Sequence, residues 1–204
     1  MTENQFSDIL LLRRKLKSRL APMRYEHSLS VSFTCMNLAM RYGYDMDKAE
    51  LAGLMHDCGK RYSDDIILKK CLKHGLPVTE AENKARAVLH AKYGAWLAEN
   101  KYGIQDVEIL DAIRCHTTGK PAMNTLEKIL YIADYIEPRR CKAPNLARVR
   151  RLAYEDLDET VGLILSDTMA YLKKKGVEMD PMTAQAFGYY GKLEGDRDEH
   201  KGNG

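Results

Sequence analysis

The chain has neither a long apolar run nor a paired-cysteine motif, and each absence argues against a class of protein. No window approaches the run of about 18 apolar residues that a membrane-spanning helix needs. The five cysteines form no CxxC pair and are odd in number, which argues against a disulfide framework or a thiolate zinc site. The N-terminal stretch has no small-residue cleavage site, so we interpret it as an amphipathic helix and not as a signal peptide. These absences predict a cytoplasmic protein with reduced thiols.

The chain also lacks the fingerprints of several ligand-binding folds. No glycine-rich loop follows a predicted strand, which excludes a P-loop and a Rossmann dinucleotide site. No segment alternates apolar and polar residues as a half-buried strand does. The formal net charge is only +3 with mixed signs, and the short basic strings IEPRRCK and ARVRR are interpreted as a solvated face. We therefore expect neither nucleic acid nor a membrane as a partner.

What the sequence has in abundance is helix-boundary signals. Two capping boxes are predicted, one at Thr79 and Glu82 and one at Asn124 and Glu127. The predicted helices cover roughly residues 7–20, 23–42, 46–58, 64–75, 80–103, 106–116, 125–137, 145–175 and 180–193, and the stretch 145–175 has room for two. The fold class is therefore predicted to be all-α, with one domain over residues 1–193 and a disordered polar tail over residues 194–204.

Four of the six histidines fall on apolar faces of four different predicted helices. These are His27, His56, His90 and His116. Each shares its face with apolar or small residues at helical spacing, as the neighbours Met23 and Val31 of His27 illustrate. A single inward histidine is usually a hydrogen-bonded core residue, but four of them would each need a buried partner. The set therefore calls for a shared explanation.

Two aspartates join this inward set. Asp57 adjoins His56, and Asp134 lies on the apolar stripe of Leu126 and Leu130. Buried carboxylates are costly unless a cation meets them, and a buried Arg or Lys would be one solution. A metal ion would instead meet both carboxylates and all four imidazoles, a ligand set that suits iron, manganese, zinc and similar divalent metals. Six ligands exceed the needs of one tetrahedral ion, which favours two metals that share a bridging carboxylate.

The order H…HD…H…H…D, together with the strings around it, resembles the HD-domain metal phosphohydrolase superfamily. The strings RYEHSLSVS, AGLMHDCGK, LHAKYGA, IRCHTTG and ILYIADYIEPRR follow in that order, and DPMTAQAFGYY closes the series. Within the superfamily they resemble the bacterial YqeK family over about residues 7–190. The resemblance implies an HD-domain helical bundle with a buried metal centre.

The same resemblance implies an activity, namely symmetrical hydrolysis of diadenosine tetraphosphate to two ADP. It further implies two divalent metal ions, most commonly iron, with manganese or cobalt as the other candidates. Carried over to this chain, the ligands of one ion would be His27, His56, Asp57 and Asp134. The ligands of the other would be His90, His116 and a bridging Asp57.

Three basic residues are expected to contact the substrate. Related families suggest Lys60 as a phosphate contact, and Arg24 and Arg140 match basic positions in the family strings. The predicted catalytic residues are Asp57, through the metal-activated water that attacks phosphorus, and Lys60, through charge stabilisation on the phosphoryl oxygens. The chain departs from the family after IEP, where RRCK replaces one arginine and an acid, so the basic loop is expected to hold phosphate differently.

Two other functions compete with this interpretation. HD sites serve many phosphate esters, so a nucleotidase or a (deoxy)nucleotide phosphohydrolase uses the same ligands. A non-catalytic nucleotide sensor is a candidate of another class, but such proteins would be expected to lose ligands and this chain keeps all six. A cyclic-dinucleotide phosphodiesterase is disfavoured because no GYP string follows the metal residues. Exposed aromatic and apolar positions in the last helices offer a face for a homodimer.

Overall fold

The computed structural model describes the backbone of residues 3–201 and the side chains of residues 8–191. Over that range the chain forms helices and no strand, which confirms the all-α prediction. The helices are α1 (Glu3–Lys17), α2 (Pro22–Tyr42), α3 (Met46–Met55), α4 (Asp64–Lys73), α5 (Glu80–Lys84), α6 (Leu89–Tyr102), α7 (Val107–Cys115), α8 (Thr125–Ile136), α9 (Leu146–Leu152), α10 (Leu157–Lys175) and α11 (Pro181–Lys201), with a 3-10 turn at Arg86–Val88. None of the described helices is long and apolar enough to cross a membrane.

Side-chain caps set several helix starts where the sequence predicts them. At the start of α8, Asn124 accepts from the backbone N–H of Glu127 at 2.9 Å, and the Glu127 carboxylate accepts from the Asn124 N–H at 2.8 Å. Thr79 and Glu82 form the same reciprocal pair at the start of α5. Each pair satisfies two amide groups that a helix start leaves without partners. Both predicted capping boxes are therefore confirmed.

The predicted single helix over residues 80–103 is wrong, since this stretch is divided into α5, the 3-10 turn and α6. The helix breaks at Ala85, whose φ of −96° and ψ of 52° are not helical. No glycine or proline marks the break, so local propensity gives no warning of it. The break places His90 in the first turn of α6, where its Nδ1 faces the main-chain carbonyl of Ala87.

The centre of the fold is a group of four helices packed closely around one another. Helix α2 packs against α3 and α8, and α7 lies beside both α3 and α8. Close approach of α2 and α3 depends on Gly53, where an added Cβ would lie 2.7 Å from the Cα of Ser32. Small residues at such a crossing bring two backbones together. The ends of these helices converge on one region of the core.

The last helix extends further than the short helix predicted over residues 180–193. The backbone of α11 is helical to Lys201 and so enters the segment assigned to the polar tail. That segment contains no proline, and its acidic and basic residues are compatible with a helix. Residues 202–204 and the side chains beyond residue 191 lie outside the described part of the chain, so the disordered tail stays a prediction.

Candidate metal centre

Three inward histidines are oriented by main-chain carbonyls three residues before them. His56 Nδ1 lies 2.7 Å from the Gly53 oxygen, and His116 Nδ1 lies 2.7 Å from the Ile113 oxygen. His90 makes the corresponding bond to Ala87. Since a carbonyl can only accept, each Nδ1 must carry the proton, and each Nε2 is left with its lone pair. His56 and His116 directly follow the last residues of α3 and α7, where main-chain carbonyls lack helical partners.

The fourth histidine is oriented by a side chain. His27 lies early in α2, and its Nδ1 is 3.3 Å from Oε1 of Glu137. Its Nε2 points to the aspartate of α8, 3.1 Å from Asp134 Oδ1. His27 is inward as predicted, but its supposed face partner Met23 is 74% exposed. Only the Val31 side of that stripe is buried.

The two carboxyl oxygens of Asp57 face different pairs of histidines. Oδ2 lies 3.5 Å from His56 Nε2 and 3.9 Å from His27 Nε2. Oδ1 lies 3.3 Å from His90 Nε2 and 3.8 Å from His116 Nε2. A carboxylate with one oxygen turned toward each pair has the arrangement of a bridging ligand.

All six predicted metal residues thus converge on one region. Asp134 completes the first group, because its Oδ1 lies near the Nε2 atoms of both His27 and His56, at 3.1 and 4.0 Å. The donor atoms of His27, His56 and Asp134 lie within 4.8 Å of one another, as do those of His56, Asp57 and His116. The structure therefore brings together every ligand that the sequence predicts.

The cluster fits a bound cation on the chemistry of its donors. The Nε2 atoms of His27 and His56 are buried and have no hydrogen-bond partner in the described part of the chain. Buried imidazole lone pairs without a donor are costly, and divalent ions such as iron, manganese and zinc bind imidazole nitrogen and carboxylate oxygen.

The protonation states also suit a metal centre. Burial would raise the pKa of Asp57, but the charge and hydrogen bonding of His56 and His90 hold it well below its ordinary value. Burial and the neighbouring imidazoles of His56 and His90 lower the pKa of His116 to about 3. Burial would lower the pKa of His56, but attraction to Asp57 raises it. Deprotonated carboxylate and imidazole groups are the forms that bind a metal ion, so the low pKa values of Asp57 and His116 favour metal binding.

Two of the three predicted substrate residues, Arg24 and Arg140, lie at the exposed edge of the cluster. Asp134 is the most exposed of the six at 23%, and Arg140, which pairs with it, is 44% exposed. Arg24, which pairs with Asp57, is 40% exposed. Arg140 donates to Asp134 Oδ1 at 2.9 Å, and Arg24 donates to Asp57 Oδ2 at 2.7 Å. Half-buried Lys60 ends the turn that follows Asp57, where its N–H bonds to the Asp57 carbonyl. The arginines therefore contact the carboxylates directly.

Two polar residues of the centre are absent from the sequence prediction. Glu137 is buried and touches His27, and Thr117 Oγ1 lies 3.3 Å from the Nε2 atoms of both His90 and His116. Each is close in sequence to a predicted ligand, which is the signal that would have found them. Their inward direction depends on turns at the ends of α7 and α8, and no periodicity predicts such turns.

The cysteines near the ligands remain thiols. Burial raises the pKa of both Cys58 and Cys115, that of Cys115 to about 12. The Cys58 thiol donates to the Gly94 carbonyl at 3.3 Å and so faces a packing contact, away from the imidazoles.

Comparison with known proteins places this geometry in a family. Residues 24–139 match the HD domain family. The chain is 37% identical to the "Bis(5'-nucleosyl)-tetraphosphatase, symmetrical" of Bacillus subtilis over 85% of its length and 92% of the relative. It is 36% identical to the protein of that name from Staphylococcus aureus, over 87% and 92%.

A solved structure supports the same family. The crystal structure of a "predicted HD superfamily hydrolase involved in NAD metabolism" from Clostridium acetobutylicum superposes with a TM-score of 0.86 at 36% identity. The match covers 89% of this chain and 96% of that one. The family match over residues 24–139 spans all six residues of the cluster. The chain belongs to the HD domain family, within the group of the bacterial symmetrical bis(5'-nucleosyl)-tetraphosphatases.

Proposed function

We propose that this protein is a metal-dependent hydrolase that cleaves diadenosine tetraphosphate symmetrically into two ADP. The observation that carries the proposal is the complete cluster of four imidazoles and two carboxylates in a chain whose relatives bear the name of that activity. A chain that had lost the reaction would not be expected to keep six costly inward groups.

The cluster would hold two divalent ions, and we propose iron. His27, His56 and Asp134 would bind one ion, His90 and His116 the other, and Asp57 would bridge them. When bound, such ions lower the pKa of a coordinated water and neutralise charge on phosphoryl oxygens. The chain supports this chemistry by burying the imidazoles in fixed orientations, so that little reorganisation accompanies binding.

The basic residues at the open side would hold the polyphosphate. Arg24 and Arg140 each use part of a guanidinium on a carboxylate, and the remaining N–H groups are available to phosphate oxygens. Lys60 lies at the end of the Asp57 turn, where its backbone N–H donates to the Asp57 carbonyl. We propose that these three cations align the central phosphates and stabilise charge that develops as the bond to the leaving ADP breaks.

The cellular setting follows from the same features. We propose that the protein acts in the cytoplasm, where its free cysteines stay reduced, four of them buried and Cys141 exposed. We also propose a homodimer through the last helices, where Tyr171, Val177 and Tyr189 are exposed apolar side chains.

One assay tests the activity. The protein is purified without oxygen, loaded with iron, manganese or cobalt, and given diadenosine tetraphosphate, mononucleotides and other phosphate esters. We expect two ADP from the tetraphosphate, resolved by chromatography. ATP plus AMP, or turnover of mononucleotides only, would contradict the proposal and favour a general nucleotide phosphohydrolase. Binding without any turnover would favour a sensor.

A matched pair of variants tests the centre. Asp57→Ala should abolish metal binding and turnover, because Asp57 faces both groups of histidines. Asp111→Ala removes a surface carboxylate on α7 that pairs with the neighbouring Arg114, and it should leave both properties intact. Activity of Asp57→Ala in the presence of a chelator would refute the metal mechanism.

A further inference from the structure

We propose that Glu137 is a positioning residue that sets the tautomer of His27 and thereby selectively maintains one half of the metal centre. The inference rests on the proposed two-metal site. Glu137 would touch neither metal nor substrate, and it would act only through the imidazole.

The four histidines differ in what holds them. Nδ1 of His56, His90 and His116 faces the main-chain carbonyl of the residue three positions earlier, so a side-chain substitution cannot remove that partner. Nδ1 of His27 faces a carboxylate from a segment 110 residues away. His27 is therefore the one ligand of the four whose orientation depends on a distant side chain.

Glu137 is itself rigidly placed. It is 3% exposed and follows the last residue of α8. Its Oε2 accepts from Ser30 Oγ at 2.6 Å and from the backbone N–H of Arg139 at 2.8 Å, which leaves Oε1 directed to His27. The guanidinium of Arg150 donates to the carbonyls of Ile136 and Glu137 at 2.9 Å and so holds this turn in place.

The contact has a chemical consequence for His27. The carboxylate of Glu137 accepts a hydrogen bond from the Nδ1–H of His27, so the proton stays on Nδ1. Nε2 is then left with a lone pair that faces Asp134 and Asp57. Oε2 already meets two donors, Ser30 and Arg139. In Glu137→Gln the amide oxygen satisfies those two donors only if the NH2 group faces His27. That group would force Nδ1 to accept, and Nε2 would then carry a proton into the metal position.

The test measures metal binding directly. Titration of metal-free protein with Mn²⁺ by calorimetry should give two ions for the wild type. In Glu137→Gln the ion held by His27, His56 and Asp134 should bind about 10- to 100-fold more weakly, the range seen when a partner of a metal-binding histidine is removed. The ion at His90 and His116 should keep its wild-type affinity.

Glu127→Gln is the matched control. Glu127 is also a buried carboxylate of α8, 1% exposed, but it pairs with Lys120 and with the N-cap of the helix. This variant should lower the unfolding temperature and leave both metal affinities unchanged. Loss of the same ion in Glu127→Gln would show that any buried charge on α8 has this effect, and would overturn the proposal.

A double variant separates positioning from general packing. Once His27→Ala has removed the imidazole, Glu137→Gln should cause no further loss of metal affinity, because its whole effect passes through His27. Additive losses, or wild-type affinity for both ions in Glu137→Gln alone, would refute the assignment. If Glu137→Gln does not fold, Ser30→Ala can replace it, because that variant removes one donor to Oε2. Ser30→Ala should weaken binding of the same ion alone. If both ions kept their wild-type affinities in Ser30→Ala, the assignment would also be refuted.

These measurements are independent of the substrate. A wild-type protein that binds two Mn²⁺ but does not cleave diadenosine tetraphosphate would contradict the proposed function and leave the role of Glu137 to be decided by the variants. A wild type that cleaves diadenosine tetraphosphate, together with a Glu137→Gln variant of unchanged metal affinity, would support the proposed function and refute the role of Glu137.

Discussion

Replacing Gly59 with alanine would place a methyl group where the chain has no room. Gly59 lies two residues after Asp57, in the turn that leads to Lys60. An added Cβ would lie 2.7 Å from the His90 carbonyl oxygen and 3.2 Å from the Gly94 amide nitrogen. Both contacts are with main chain, so no side chain can rotate away. The turn after α3 and the start of α6 must separate by several tenths of an ångström.

The expected effect can be given a size. Overpacking a well-packed region costs about 1–3 kcal/mol. For a chain of this length, 1 kcal/mol corresponds to about 2–4 °C in unfolding temperature, so the variant should melt roughly 2–12 °C below the wild type. The displacement also moves Asp57 Oδ1 away from His90 Nε2, now 3.3 Å apart. The affinity of the ion between Asp57, His90 and His116 should therefore fall with the stability.

The assay is thermal unfolding by circular dichroism, with and without Mn²⁺. Gly188→Ala is the control, because Gly188 lies within α11 and its added Cβ would meet nothing within 4 Å. That variant should be neutral or stabilised by about 0.4–1 kcal/mol through the unfolded state. A Gly59→Ala protein with the wild-type unfolding temperature and metal affinity would refute the claim that the close approach of these two segments sets the site.

Three other changes have defined outcomes. In metal-free folded protein the pKa of His116 is about 3, whereas its pKa in the unfolded chain is about 6.5. Between these two pH values the unfolded state therefore binds more protons than the folded state. Stability should then fall as pH is lowered from about 6.5 toward 3, and urea titrations at several pH values should show a shallower slope in His116→Gln. Asn124→Ala removes the cap of α8 and should cost about 1 kcal/mol in urea unfolding with unchanged metal affinity; a loss below 0.3 kcal/mol, roughly, would contradict the capping role. Arg140→Ala should raise KM for diadenosine tetraphosphate while both ions remain bound, and an unchanged KM would remove Arg140 from the substrate site.

Local chemistry explains why much of the fold was predictable. The capping boxes at Asn124 and Thr79 need only residues three positions apart, and both form as expected. Helical spacing likewise places the ligands His56 and Asp134 on inward faces. The prediction failed at Ala85, where the helix breaks without a glycine, a proline or any other local signal that the sequence could show.

The sequence by itself determined the fold class, the family and the identity of the six clustered residues, because periodicity, caps and motif order are properties of neighbours in the chain. Only the tertiary structure decided how Asp57 divides its two oxygens between pairs of histidines, and that Arg24 and Arg140 lie on the carboxylates. It also decided that Glu137 holds His27 across 110 residues of chain. Such contacts depend on the directions of side chains from separate helices, which close packing sets and no sequence spacing encodes.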